Sequence, residues 1–125
     1  MIPANWIPYH RLDDDELIGY LAPAPEAGET LVRPVTLFGY PLDEPCEPMW
    51  AEETLQERGL SYLAVEWLLT EDAGERAVVI NESSPDRLVV ANADFAKAMD
   101  APSEMIGTPI VLDVPTDRLR PARPL

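Results

Sequence analysis

The stretch that decides the fold is Tyr62-Leu63-Ala64-Val65-Glu66-Trp67-Leu68-Leu69, which precedes two further apolar runs, residues 77–80 and 87–91. All three runs contain the β-branched or aromatic residues that are typical of strands. Residues 71–75 and 83–86 separate them and have the Gly, Pro, Asp and Ser content of turns. The pattern predicts three antiparallel strands in a meander. Residues 62–69 alone are also compatible with a helix, and the turn that follows them favours the strand.

Four more strands are predicted outside the meander, three before it and one after it. The first two, residues 6–10 and 17–21, flank the acidic turn 13–16, and the third covers residues 30–38. Because proline cannot donate a hydrogen bond to a neighbouring strand, the prolines in the first and third strands place both at a sheet edge or a bulge. The last strand is predicted at residues 110–114.

The best helix signal runs from Pro48 to Arg58. Proline suits the first helical position, and Gly59 is placed to end the helix. Acidic residues near its beginning would complement the positive end of the helix dipole; they are Glu47, Glu52 and Glu53. A second, short helix is predicted at residues 92–99, capped by Asp94.

The periodicity of the longer helix predicts which side packs on the sheet. Ala51 and Leu55 lie four residues apart, with Met49 and Trp50 one turn earlier, and this apolar side is expected to dock on the sheet. Glu53 and Glu57 lie on the opposite side, which is expected to be in solvent.

Together these elements predict an α+β fold for a single domain that spans residues 1–125. Its mainly antiparallel sheet, of about six or seven strands, is strongly twisted or forms a partly open barrel, and the helix covers one face. The tail, residues 118–125, is expected to be extended and frayed. The predicted core consists of Leu37, Leu55, Leu63, Val65, Trp67, Leu69, Val78, Ile80, Val90 and Val111.

The net charge limits the possible partners. The chain has 23 acidic and 9 basic residues, which give a formal net charge of -14, and it has no cluster of Lys or Arg. Nucleic acids and anionic membranes are bound through such clusters, so neither is expected as a partner. An acidic surface instead attracts a basic protein. Lys97 is the one lysine in a chain rich in Ala, Pro and Arg, a composition typical of GC-rich bacterial coding sequences.

Cys46 is the only cysteine, which excludes an intramolecular disulfide and a metal site built on several cysteines. The first residues show no basic region followed by an apolar run, and no stretch reaches the roughly 20 apolar residues of a membrane span. A cytoplasmic protein is therefore expected. Because acidic neighbours oppose the effect of the helix N-terminus on the thiol, Cys46 is predicted to be an incidental thiol.

His10 is the only histidine, so any reaction that needs an imidazole near neutral pH must use it. Residues 13–15 could orient it across the turn, which gives the hypothesis of a small enzyme built on His10 and carboxylates. The acidic turn lacks the glycine and the distal glutamate of a calcium-binding EF-hand loop, so no metal site is predicted. Motifs of phosphate loops, serine hydrolases and zinc proteases are absent. We therefore favour a role without catalysis and predict no cofactor.

The aromatic residues suggest a binding edge. Trp6, Tyr9 and Tyr40 are close to prolines in the sequence and are expected to be exposed. Together with His10 they form the predicted binding surface, since aromatic side chains with a polar tip are frequent in recognition surfaces. Trp50 and Trp67 have apolar neighbours and are predicted to be buried.

Residues 87–107 begin with Arg87-Leu88-Val89-Val90-Ala91, contain Phe95 and end with Glu104-Met105-Ile106-Gly107. This segment resembles the first strand pair and short helices of a PAS sensor domain. The resemblance implies a ligand pocket behind Val90 and Phe95. A PAS domain needs several further strands after this segment, and one is predicted here, so we do not assign the chain to that family.

The favoured function is that of an acidic binding or adaptor protein for a basic protein. The alternatives are a small-ligand-binding domain with a pocket inside the curved sheet and the small enzyme centred on His10. Binding of a basic partner is expected to weaken steeply with salt, whereas a ligand in a pocket raises the melting temperature with little salt dependence. Self-association through a proline-containing edge strand is a further possibility.

Overall fold

The computed structural model describes residues 1–93 and 109–125 of the chain. Within them the chain forms eight strands, one α-helix and a 3-10 helix at Ser61–Ala64. The α-helix is α1 (Pro48–Arg58), and the strands are β1 (Ile7–His10), β2 (Leu17–Pro23), β3 (Val32–Val35), β4 (Trp67–Glu71), β5 (Gly74–Ser83), β6 (Arg87–Asn92), β7 (Ile110–Asp113) and β8 (Leu119–Pro121). The short helix predicted at residues 92–99, with its cap Asp94, lies outside the described residues from position 94 onward.

The strands form two antiparallel sheets, which confirms the predicted α+β class but not the partly open barrel. β1, β2 and β3 form a three-stranded sheet in that order, and the five-stranded sheet has the order β7-β6-β5-β4-β8. Residues that follow β3 in the chain cover its outer edge. Val32 exchanges two backbone hydrogen bonds of 2.9 Å with Cys46, and the Leu42 N–H donates to the Pro34 carbonyl at 2.8 Å.

The helix α1 covers one face of the three-stranded sheet. Its buried residues, Ala51 and Leu55, pack with Ile18, Leu21 and Val32, as the periodicity predicts. β1 lies at the edge of this sheet, which also agrees with the prediction. A separate apolar cluster contains Tyr20, Ala22 and Val35, with Trp6 packed against it.

The helix has the predicted bounds, but its first turn lacks the expected acidic residues. Gly59 has a φ of 55°, and its N–H donates to the Leu55 carbonyl at 2.8 Å, which ends the helix. Glu47 is the N-cap residue, its side chain makes no capping hydrogen bond, and the first turn contains no acidic side chain. Glu52 and Glu53 lie one turn further along, where the effect of the dipole has decayed. The prediction that Glu52 and Glu53 complement the helix dipole is therefore wrong.

The main core lies against one face of the five-stranded sheet. Trp67, Leu69, Val78 and Val90 are fully buried there, as predicted. Phe38, from the loop after β3, joins them with its ring edge-on to Trp67 and the ring centroids 5.0 Å apart. This loop therefore connects the three-stranded sheet to the main core.

Two of the predicted core residues are exposed. Val65, which lies between the 3-10 helix and β4, is 37% exposed, and Val111 is 56% exposed. Val111 points outward because side chains alternate along a strand and its neighbour Leu112 takes the inward position. Three other predicted core residues are partly buried against the main core: Leu37, Leu63 and Ile80.

The strand predicted at residues 62–69 begins only at Trp67, because Ser61–Ala64 is a 3-10 helix. Tyr62 and Trp67 are both buried in the main core. They lie an odd number of positions apart, so an uninterrupted strand would place them on opposite faces. The helical turn removes this conflict, and the Trp67 indole N–H donates to the Tyr62 carbonyl at 2.9 Å.

Part of the tail that is predicted to be extended, residues 118–125, forms a strand. Leu119–Pro121 forms β8, which pairs with β4, and Leu119 is buried in the main core. The Arg118 guanidinium donates to the Thr70 carbonyl at 3.1 and 3.2 Å. Among the described strands β4 has no other neighbour on this side, so the tail satisfies backbone groups that would otherwise lack a partner in the sheet.

Candidate functional site

Trp6 and Tyr9, two residues of the predicted binding edge, pack in different parts of the three-stranded sheet. Trp6 is half-buried against Tyr20, with ring centroids 6.2 Å apart. Tyr9 packs beside α1, where its hydroxyl donates to Gln56 Oε1 at 3.4 Å. The two aromatic rings therefore belong to different apolar clusters of the three-stranded sheet.

Tyr40 and His10 are the other two residues of the predicted binding edge. Tyr40 is half-buried edge-on against Trp67, with centroids 5.2 Å apart, and anchors its loop to the main core. His10 is exposed at the end of β1. Asp14 of the acidic turn is held by Arg11, with Nε–Oδ1 and Nη2–Oδ2 distances of 3.0 and 2.8 Å. The Asp14 carboxylate therefore accepts hydrogen bonds from the Arg11 guanidinium, whereas the sequence pattern predicted that it could orient the His10 imidazole.

The hydrogen bonds from Arg11, followed by one from the Glu16 N–H, lower the pKa of Asp14 to about 2. We expect Arg11→Gln to raise this pKa toward its ordinary value of about 3.9. Because the folded-state pKa lies below the unfolded-state value, the stabilisation from this pair is complete above pH of about 4 and is lost as the pH falls toward 2. An NMR titration of the Asp14 carboxyl carbon measures the change. Arg87→Gln, an exposed substitution on β6, serves as the control; equal Asp14 pKa values in the two variants would contradict this assignment.

The exposed side of α1 combines apolar and acidic residues. Met49 is 60% and Trp50 is 55% exposed. Glu53 and Glu57 are exposed on the same side, one and two turns further along the helix. We name these four residues the α1 outer face. An exposed tryptophan beside an exposed methionine leaves a large apolar area in water, which is the kind of surface that a partner can cover.

The prediction that Met49 and Trp50 belong to the side of α1 that packs on the sheet, with Trp50 buried, is wrong. The helix periodicity explains why for Trp50. Ala51 and Leu55 are the residues of α1 that are buried. Trp50 lies three positions before Glu53 and seven before Glu57, so all three belong to one side of the helix. The sequence therefore already indicates that Trp50 is exposed, because Trp50 lies on the side of the helix that carries the two glutamates and is predicted to face solvent.

The surroundings of the α1 outer face are acidic. Asp43, Glu44 and Glu47 precede the helix and are exposed. The acidic turn 13–16 approaches from the other end, since the N–H of Leu12 donates to Gln56 Oε1 at 3.4 Å. Within residues 1–93 and 109–125, no glutamate of α1 takes part in an ion pair. The negative charge beside Trp50 is therefore not neutralised by these parts of the chain.

Cys46 is poorly suited to nucleophilic chemistry. Burial, followed by the nearby Asp43 carboxylate, raises the pKa of its thiol. Since the thiolate is the reactive form, a raised pKa lowers its reactivity near neutral pH. In the described part of the chain, no three or more His, Cys, Asp or Glu side chains are grouped so that they could hold a metal ion.

Comparison with known proteins identifies no family. No family model matches the chain, and neither a curated protein nor a solved structure matches it. The PAS resemblance of residues 87–107 therefore gains no support: Val90 is fully buried in the main core, and Phe95 lies outside the described residues. Over the ranges that the structure describes, no helix has the length and apolar character needed to cross a membrane.

Proposed function

We propose that this chain is a non-enzymatic adaptor that binds a basic, amphipathic segment of another protein on the α1 outer face. The observation that carries the proposal is Trp50, which is 55% exposed in a helix whose exposed side continues with Glu53 and Glu57. A segment with one apolar side and flanking lysines or arginines would cover Trp50 and Met49. Its cations would then lie near the two glutamates.

Trp50 would supply most of the binding energy. Tryptophan is enriched among interface residues whose truncation costs about 2 kcal/mol or more, and methionine is enriched in interfaces generally. Exposed ion pairs contribute only about 0–1 kcal/mol each, so Glu53 and Glu57 would act mainly on partner choice and on the association rate. Trp50 is therefore proposed to determine the affinity, and the two glutamates are proposed to determine the charge preference. Substitutions can test each role separately.

The net charge of -14 supports a basic protein as the partner, and it weighs against a nucleic acid or an anionic membrane. We also propose that the chain is a single domain, since the Tyr62 hydroxyl donates to Ile18 of the three-stranded sheet from within the main core. A bacterial, cytoplasmic setting is part of the proposal. It rests on the arginine-rich composition and on the single cysteine, which forms no disulfide within the chain.

The test uses a fluorescently labelled helical peptide of lysine and leucine with one apolar side. We expect it to bind, and we expect Trp50→Ala to weaken binding about thirtyfold, which corresponds to a hot-spot loss of about 2 kcal/mol. Raising the ionic strength from about 0.01 M to about 0.15 M shortens the Debye length from about 30 Å to about 8 Å and should weaken binding further. The double variant Glu53→Gln/Glu57→Gln should reduce this salt dependence. Fluorescence anisotropy measures all of these affinities.

Matched controls are available on other elements. Val111→Ala removes a residue of nearly the same exposure, 56%, from β7. Glu29→Gln/Glu82→Gln removes two exposed carboxylates that lie outside α1. Both control variants should bind the peptide as the wild type does, and a peptide with serine in place of leucine should bind weakly. If Trp50→Ala and Val111→Ala bind equally well, or if the serine peptide binds as tightly as the leucine peptide, the α1 outer face is not the binding site.

A further inference from the structure

A cavity of about 560 Å³ lies where the end of α1, the 3-10 helix and the tail after β8 meet. Its volume falls within the range of about 300–1,000 Å³ that is usual for small-molecule sites. It shares no residue with the α1 outer face. Apolar side chains from four parts of the chain line it: Leu42, Val65, Val79 and Leu125. The apolar part of a small molecule can therefore bind against this lining.

Two arginines, Arg58 and Arg123, also line this cavity. They are two of only 9 basic residues in the chain. Four other arginines are each held by a carboxylate at 2.6 to 2.8 Å: Arg11, Arg33, Arg76 and Arg120. Among the described residues, no carboxylate forms an ion pair with Arg58 or Arg123. Their guanidinium groups can therefore donate hydrogen bonds to a bound anion. Ser61 and Glu66 also line the cavity, and Glu66 has an interaction of its own.

We infer that this cavity binds a small amphipathic oxyanion, which is a carboxylate or a phosphate attached to an apolar body. A guanidinium group has the planar donor geometry that fits both kinds of head group, and such charge-assisted hydrogen bonds are stronger than neutral ones. The chain as a whole repels anions because of its net charge of -14. Anion binding here therefore depends on the two arginines themselves, and a variant that lacks them should lose selectivity for the anionic head group.

The experiment compares octanoate, octyl phosphate and octan-1-ol, each below its micelle-forming concentration, by thermal shift and calorimetry. The three probes share one tail and differ in their head group. At least one of the two anions should raise the melting temperature, as any ligand of the native state does. Octan-1-ol should bind about tenfold more weakly, and Arg58→Gln and Arg123→Gln should each weaken binding of the anion about tenfold. Binding of octanoate alone assigns the head group as a carboxylate, and binding of octyl phosphate alone assigns it as a phosphate.

Two further variants make the result specific to the cavity. Ala64→Trp places a large side chain at an exposed position on the cavity wall and should abolish binding. Arg87→Gln removes an exposed arginine from β6, outside the cavity lining, and should bind as the wild type does. Circular dichroism of the free variants shows whether each is folded. The inference is overturned if neither anion binds the wild type, if octan-1-ol binds as tightly as the anions, or if both arginine variants bind as the wild type does.

Discussion

Tyr62→Phe is expected to lower the free energy of unfolding by about 2–4 kcal/mol, although it removes a single oxygen atom. The Tyr62 hydroxyl donates to the Ile18 carbonyl at 2.9 Å and accepts from the Leu37 N–H at 3.1 Å. Without it, two backbone groups in or near the core lose their partner, and each unsatisfied buried group costs about 1–3 kcal/mol. The same hydroxyl joins the main core to the three-stranded sheet, so both sheets lose a shared contact. Urea denaturation measures the change.

Tyr9→Phe provides the matched control. The Tyr9 hydroxyl makes a longer hydrogen bond, 3.4 Å to Gln56 Oε1, at a half-buried site where water can replace it. We expect its removal to change the unfolding free energy by less than about 1 kcal/mol. Equal losses in the two variants would mean that the Tyr62 hydroxyl does not have the role described here.

The pH dependence of stability tests the same contact independently. Burial raises the pKa of Tyr62 above its ordinary value of about 10. Because the group must stay protonated to donate to Ile18, its contribution is complete below pH of about 10 and is lost as the pH rises above that value. The wild type should therefore lose more stability in alkaline solution than Tyr62→Phe does.

Gly19→Ala is the second substitution with a large expected effect, a loss of about 3 kcal/mol. A Cβ atom at this position would lie 2.5 Å from the Val35 carbonyl oxygen and 2.7 Å from Leu55 Cδ2. The leucine side chain can move, but the carbonyl belongs to the backbone of β3. The methyl group would therefore push β2 away from β3 or lift α1 from the sheet. Thermal or urea unfolding measures the loss.

Gly28→Ala is the control for this substitution. The nearest atoms to its added Cβ would be Leu31 Cγ and Cδ1 at 3.0 and 3.1 Å, which belong to a movable side chain outside the main core. We expect a change within about 0.5 kcal/mol, in line with other surface substitutions. If Gly19→Ala were as stable as Gly28→Ala, the helix would not approach the sheet as closely as described.

Elements that depend on local sequence could be predicted well. Pro48 and Gly59 mark both ends of α1, because proline suits the first turn and glycine adopts the positive φ that ends the helix. The β4–β5–β6 meander follows from its turns, since short turns leave neighbouring strands few ways to pair. The edge position of β1 follows from the missing N–H of Pro8.

Features that depend on distant pairing could not be predicted in this way. Val32 pairs with Cys46 at the outer edge of β3, and neither residue has a sequence pattern that indicates the other. The strand β8 depends on its pairing with β4, which lies far from it in the sequence. Arg58 and Arg123 likewise come to line the same cavity only in the folded chain. The exposure of Trp50 is different, since its spacing of three and seven residues from Glu53 and Glu57 indicates the solvent side, which its assignment to the apolar side overlooked.

The position of β8 has a consequence for how the protein is made. β4 lies between β5 and β8, and Leu69 pairs with Leu119. On the ribosome, β4 and β5 therefore emerge long before the strand that completes the sheet. Until then, one edge of β4 and part of its apolar face stay open to other nascent chains. This edge of the sheet can be completed only after residues 119–121 have been made, so chains that stall before residue 119 should be the ones that chaperones and proteases must handle.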